Sequence, residues 1–158
     1  MNPVLEEISI SDYERERGKP MPSYHHGIVQ SRLCSQWDQP GFVAPSELTL
    51  EMSELPNLTP DICVFPNHKT DWQHDEIRKP EPPLTVVEIL SPTQGSFELM
   101  QRIDRYFSHG VNTCWIVYPT SKSITIYEQG KEAVTISQSG KVTDPCTGLE
   151  ADLDRLFA

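Results

Sequence analysis

Apolar and polar positions along the chain follow two rhythms, one helical and one alternating. In HHGIVQSRLCSQWDQ (residues 25–39), Ile28, Val29, Leu33 and Trp37 recur at helical spacing, and Pro40 and Gly41 stop the run. SFELMQRIDRYFSH (residues 96–109) predicts a second helix with Leu99, Ile103 and Tyr106 on its core side and Gly110 as its terminating residue. Near the start, SDYERER reads as a short helix capped by Ser11, and GKPMPS (residues 18–23) as a turn. Strand patterns fill the rest. FVAPSELTLEM puts Leu48, Leu50 and Met52 on one face, with Glu47, Thr49 and Glu51 on the other. DICVF (61–65) and LTVVEIL (84–90) are largely apolar with one acidic residue each, the second rich in β-branched residues. CWIVYP (114–119), SITIYEQ (123–129) and AVTISQ (133–138) follow, with a hairpin turn at EQGKEA and a short terminal helix or turn packing Leu149, Leu153 and Leu156.

The order is helix, three strands, helix, then strands. Strands in succession around one central helix predict an α/β domain with a mixed sheet, rather than a doubly wound parallel one. Residues 66–83, rich in Pro, Asp and Lys, read as an exposed excursion that carries Lys69, Arg78 and Lys79. Trp37, Trp72 and Trp115 read as core or loop anchors. There is no internal repeat, and 158 residues suit a single domain over 1–158.

Composition narrows the class. Hydrophobic residues make up 37% and charged residues 23%, so the chain is neither disordered nor membrane-spanning. Its apolar runs fall far short of the roughly 20 residues needed to cross a bilayer. The opening MNPVLEEISI lacks a basic and apolar leader, which predicts a cytoplasmic protein. Cys34, Cys63, Cys114 and Cys146 lie at least 29 positions apart, without zinc-like spacing, and are expected to be free thiols. The net charge of −10, from 13 basic and 23 acidic residues, argues against tight non-specific nucleic-acid binding by an isolated monomer. No Gly-rich phosphate loop, G-x-S-x-G or H-x-x-x-H pattern is present.

One carboxylate stands out. Glu88 interrupts LTVVEIL on the face it shares with Leu84, Val86 and Leu90. Burying it there is costly unless something pairs with it, so the readings are a metal ligand, a catalytic acid, a partner of a structural Arg, or a Glu at the strand's exposed end. Asp61 follows Pro60, which cannot donate to a sheet ladder, so the strand opens where the Asp61 side chain begins. Two carboxylates converging from neighbouring strands make a hard oxygen site suited to Mg²⁺ or Mn²⁺.

TPDICVF followed by LTVVEILSP resembles the PD-(D/E)XK nuclease superfamily. More narrowly, the chain is similar to the Uma-type restriction endonucleases. ERGKPMPSYHHGIVQSRL, DRYFSHGV with CWIVYP, and the closing GLEADLDRLF match that family in order and spacing over nearly the whole chain. The resemblance implies a restriction-endonuclease-like fold, with a central mixed β-sheet flanked by helices. It implies that Asp61 and Glu88 hold a divalent cation, with a backbone carbonyl near Ile89 assisting. It would place a lysine two residues after the Glu, where this chain has Leu90. The family's basic residue on the following helix corresponds to Arg102, where lysine is usual. An arginine stays protonated, so it would stabilise charge rather than act as a base. His26 matches a family histidine at the first long helix. Glu47 and Glu98 are further candidate accessory residues, the latter one helical turn before Arg102.

These observations predict a metal-dependent nuclease acting on DNA, with a homodimer expected from the scarcity of basic surface and from family habit. The alternative is a catalytically weak or inactive nuclease-fold module acting in binding or regulation.

Overall fold

The structure, a computed structural model, describes residues 15, 17–91 and 95–158. The expected Ser11 cap lies outside them. Ser23 opens α1 (Tyr24–Trp37) by accepting the His26 N–H, and the helix buries His26, Val29, Leu33 and Trp37. That is the expected apolar stripe with one change: His26 joins it at its first turn, while Ile28 is only half-buried.

Ten strands are present among the described residues: β1 (Phe42–Val43), β2 (Thr49–Leu50), β3 (Ile62–Pro66), β4 (Arg78–Lys79), β5 (Thr85–Ile89), β6 (Thr113–Tyr118), β7 (Ser123–Glu128), β8 (Val134–Ser137), β9 (Lys141–Thr143) and β10 (Glu150–Asp152). Between β5 and β6 runs α2 (Ser96–His109), and α3 (Leu153–Leu156) closes the chain. Gly110 ends α2 at φ 107° in the left-handed region, where a side chain would be strained.

Six strands form the main sheet in the order β1-β3-β5-β6-β7-β8. β5 and β6 are parallel and every other neighbouring pair in it is antiparallel, so the sheet is mixed, as expected. The parallel pair needs a long crossover, and α2 supplies it. Alternation along β5 divides the core. Val87 and Ile89 pack with Val29, Leu33 and Trp37 of α1 and with Leu153 and Leu156 of α3. Val86 packs with Leu99, Ile103 and Tyr106 of α2. Trp37 and Trp115 meet edge to face at 4.9 Å on the first side.

Three expectations need correction. FVAPSELTLEM is not one strand. Pro45 has no N–H to give, its carbonyl accepts from Cys63, and Glu47 takes a φ of 54°, so the run breaks into β1 and β2. Thr49, expected on the polar face, is buried with its hydroxyl 2.7 Å from that of Thr59. Trp72 anchors nothing: it is 90% exposed in the excursion. That excursion is otherwise solvated as expected, although Arg78 and Lys79 pair in parallel with β2. No helix among the described residues is long and apolar enough to cross a membrane.

Asp144 shows what a buried carboxylate looks like when its role is structural. It accepts from the hydroxyls of Thr85, Thr113 and Thr147, from the indole N–H of Trp115, and from the backbone N–H groups of Cys146 and Thr147. All these donors are neutral, and they tie β5, β6 and the β9–β10 turn together.

Candidate active site

The register of β3 on β5 builds the site. Ile62 faces Val87, Cys63 faces Val86 and Val64 faces Thr85. Ile62, Val87 and Ile89 turn their side chains to the α1 side of the core, so alternation turns Asp61 and Glu88, their chain neighbours, to the opposite face of the sheet. The Asp61 N–H donates to the Val87 carbonyl at 3.0 Å, and its carboxylate Oδ2 accepts the Ile89 N–H at 2.6 Å. Asp61 is therefore fixed to β5 by two bonds. The Ile89 N–H thus orients Asp61, and the carbonyl expected to assist a cation is a separate group of the same residue.

Both carboxylates are buried, Asp61 completely. Their remaining oxygens converge on one cation. The Lys19 ammonium lies 2.6 Å from Asp61 Oδ1 and 2.5 Å from Glu88 Oε2. Arg17 stands alongside, with Nη2 at 2.7 Å from Asp61 Oδ1, and it also donates to both oxygens of Glu47. From α2, Arg102 donates to Glu88 Oε1 through Nε at 3.2 Å and Nη2 at 2.9 Å. The Tyr106 hydroxyl, one helical turn on, donates to the same oxygen at 2.5 Å. Among the described residues, three cationic side chains (Arg17, Lys19 and Arg102) thus face three carboxylates (Glu47, Asp61 and Glu88).

This surrounding charge decides the ionisation. Burial pushes the Asp61 carboxyl up, but the Lys19 ammonium and the His26 hydrogen bond outweigh it and hold Asp61 well below the usual carboxylate range. For Glu88, burial and the neighbouring Asp61 charge raise the carboxyl, but Arg102 and Lys19 together outweigh them and leave it lowered. Burial works against charge on Arg102, but Glu88 holds it firmly protonated, so it stands at the site as a fixed charge rather than a base.

Each residue expected at the site can now be placed. Asp61, Glu88 and Arg102 come together. His26 Nε2 lies 2.9 Å from Asp61 Oδ1, and its Nδ1 is buried with no hydrogen-bond partner among the described residues. Glu47 reaches the cluster from the break between β1 and β2, held by Arg17 and by the Gln30 amide, which also donates to the Asp61 carbonyl. Glu98 does not join it and stays on the exposed side of α2. His26, Glu47 and Asp61 each present one ligand atom within 4.8 Å of the others, so they form a second group with metal-ligand chemistry.

Sequence reading missed Arg17 and Lys19. GKPMPS was expected to be a turn, and its exposed residues Gly18 and 20–23 fit that, with one exception at Lys19. The side chains of Arg17 and Lys19 turn inward and are buried. Gly18 makes this possible. It has φ +70°, and a Cβ there would lie 3.0 Å from Arg102 Nη1. Arg17 also donates to the Pro20 carbonyl, which folds the segment back on itself. Only a glycine between two basic residues hinted at this arrangement.

A six-stranded mixed sheet, with a crossover helix supplying a basic residue to an acidic pair, defines a restriction-endonuclease-like fold carrying a charged site on one sheet face. The chain belongs to the Uma2 family, described as "Putative restriction endonuclease", whose pattern matches residues 7–156. Among solved structures it is similar to a protein of Anabaena variabilis ATCC 29413 described as a "putative nuclease belonging to DUF820". The identity is 23% and the TM-score 0.74, with 87% of this chain and 83% of that chain covered. No curated protein matches the chain.

Proposed function

We propose that this protein is a metal-dependent nuclease that hydrolyses phosphodiester bonds in DNA, with Asp61 and Glu88 holding Mg²⁺ or Mn²⁺. The observation that carries the reading is the convergence of Asp61 Oδ1 and Glu88 Oε2 on a single cation, Lys19 Nζ, at 2.6 and 2.5 Å. Two hard anionic oxygens already aimed at one positive centre suit a divalent ion of the same class. A divalent ion bound there would lower the pKa of a bound water and offset charge on the scissile phosphate. The protein's own groups have separate tasks. The Ile89 N–H orients Asp61. Arg102 and Tyr106 orient Glu88, and Arg102 brings a permanent positive charge to the developing charge on phosphate. His26 braces the outer side of Asp61 directly, and Glu47 does so through Arg17.

In this reading the whole chain acts as one domain. It works in the cytoplasm, which suits its free cysteines. It pairs as a homodimer, which would gather basic surface that a monomer of net charge −10 lacks. The test is cleavage of plasmid and oligonucleotides in Mg²⁺ or Mn²⁺, with a chelator control and the Asp61→Ala variant. Metal-dependent nicking lost in the variant supports the proposal, and cleavage that survives Asp61→Ala sinks this assignment.

A second reading, a nuclease-fold module that binds or regulates without cutting, rests on one specific observation. Among the described residues the three carboxylates already face three cations, and Leu90 stands where the superfamily carries a lysine. Metal binding without cleavage under any tested condition would favour it.

A further inference from the structure

The cation position between Asp61 and Glu88 is filled by a side chain of the protein itself, and that side chain comes from a surface segment. Lys19 Nζ contacts both carboxylates, and its side chain is only 2% exposed. Its neighbours Gly18, Pro20, Met21, Pro22 and Ser23 are all exposed. The segment therefore lies on the outside of the fold with one ammonium pressed inward. Withdrawing that ammonium breaks its two bonds to the carboxylates and moves a side chain whose backbone belongs to the exposed segment. Leaving it in place while a divalent ion binds would set a third unit of positive charge against the same two buried oxygens, and like charges at such distances in a buried site repel strongly.

From this geometry we infer that Lys19 is an internal counter-ion of the site: a divalent cation binds Asp61 and Glu88 by displacing the Lys19 ammonium, and Lys19 thereby sets the site's metal affinity. The inference rests on the proposed metal site and deepens it. Lys19 makes the metal-free protein stable by pairing two buried carboxylates that would otherwise repel each other. The same pairing makes metal binding a competition, since the form able to bind is only the fraction in which Lys19 has left. Arg17 is not the exchanging group in this scheme. It is anchored at Glu47 and at the Pro20 carbonyl as well as at Asp61, whereas the hydrogen bonds of the Lys19 ammonium, among the described residues, go to the two candidate ligands.

Two measurements on the full chain test this. The first is Mn²⁺ binding by calorimetry to the wild type and to Lys19→Met. With no ammonium to displace, the variant should bind about tenfold more tightly or better. Equal or weaker binding by a folded variant overturns the inference and leaves the proposed metal site standing. Absence of Mn²⁺ binding in both proteins overturns the metal site and the inference together. The second keeps the wild-type sequence, so it decides even if Lys19→Met does not fold. The protein is trace-acetylated with and without saturating Mn²⁺, and each lysine is quantified by mass spectrometry. Lys19 should be slow to react without metal and several-fold faster with it, while exposed Lys122 stays unchanged. Lys19 reactivity that stays level or falls at saturating Mn²⁺ overturns the displacement.

Discussion

Asp61 is clamped to the strand that carries Glu88 by the backbone of Ile89, whose N–H donates to Asp61 Oδ2 at 2.6 Å. That bond leaves Oδ1 to face the cations Arg17 and Lys19, so a backbone contact sets the direction of the site's first acid. Asp61→Ala removes the shared partner of two buried cations. Three cations then face two carboxylates, and the one buried positive charge left uncompensated costs about 3–5 kcal/mol, which urea denaturation of the metal-free protein should read as a lowered midpoint. Adding Lys19→Met to Asp61→Ala should restore part of the loss, because the double variant strands one charge fewer. Strictly additive losses would show that the pair does not interact as described.

Acid should weaken the same cluster. Both Asp61 and Glu88 have native pKa values lowered by their cationic partners, after burial has been overcome. Unfolded carboxyls titrate near about 3.9 for Asp and about 4.3 for Glu. The unfolded chain therefore binds protons before the native one does, and the stabilisation is fully present above those values. It is lost as pH falls below about 4 toward the depressed native values. Thermal melts of the metal-free protein should be insensitive to these two groups between about pH 6 and 7 and fall steeply below about pH 4. The fall should be shallower in Glu88→Gln, which has one such carboxyl fewer.

The glycines offer a paired test. Gly18→Ala places a side chain at φ +70° and 3.0 Å from Arg102 Nη1, so backbone strain and a displaced guanidinium act together. A loss of about 1–2 kcal/mol is expected, with weaker DNA cleavage if Arg102 serves the reaction. Gly27 lies in α1, and a Cβ added there would meet nothing within 4 Å, so Gly27→Ala should be neutral or stabilise by up to about 1 kcal/mol. Differential scanning calorimetry separates the two outcomes by sign.

Asp144→Ala separates structural from functional burial. Six hydrogen bonds from neutral donors end on that carboxylate, three of them from buried Thr85, Thr113 and Trp115. Leaving such donors without a partner should cost about 3 kcal/mol or more. Mn²⁺ affinity should be unchanged, since none of these six donors also bonds Asp61 or Glu88. A variant that folds normally but loses metal would contradict this division of roles.

Much of the fold was legible because its helices and central strands obey simple periods. The α2 stripe of Leu99, Ile103 and Tyr106 and the Gly110 stop appear where the pattern puts them. The break at Glu47 was not legible, because alternation in SELTLEM survives in the residue types even though a left-handed backbone interrupts the strand. Tyr106 was read only as core, since periodicity records that a ring is buried but not which partner its hydroxyl meets.

What the sequence offered by itself was a candidate acidic pair: a Glu inside an apolar strand is costly to bury without compensating charge, and an Asp opens a neighbouring strand behind a proline. Which charges compensate was decided only by the tertiary structure. Arg17 and Lys19 sit in a segment with the composition of an ordinary surface turn, and they become part of the site because the β3–β5 register brings two carboxylates together within their reach. Apolar periodicity is a local property of the chain, whereas the partner of a buried charge is set by contacts 42 and 69 residues apart.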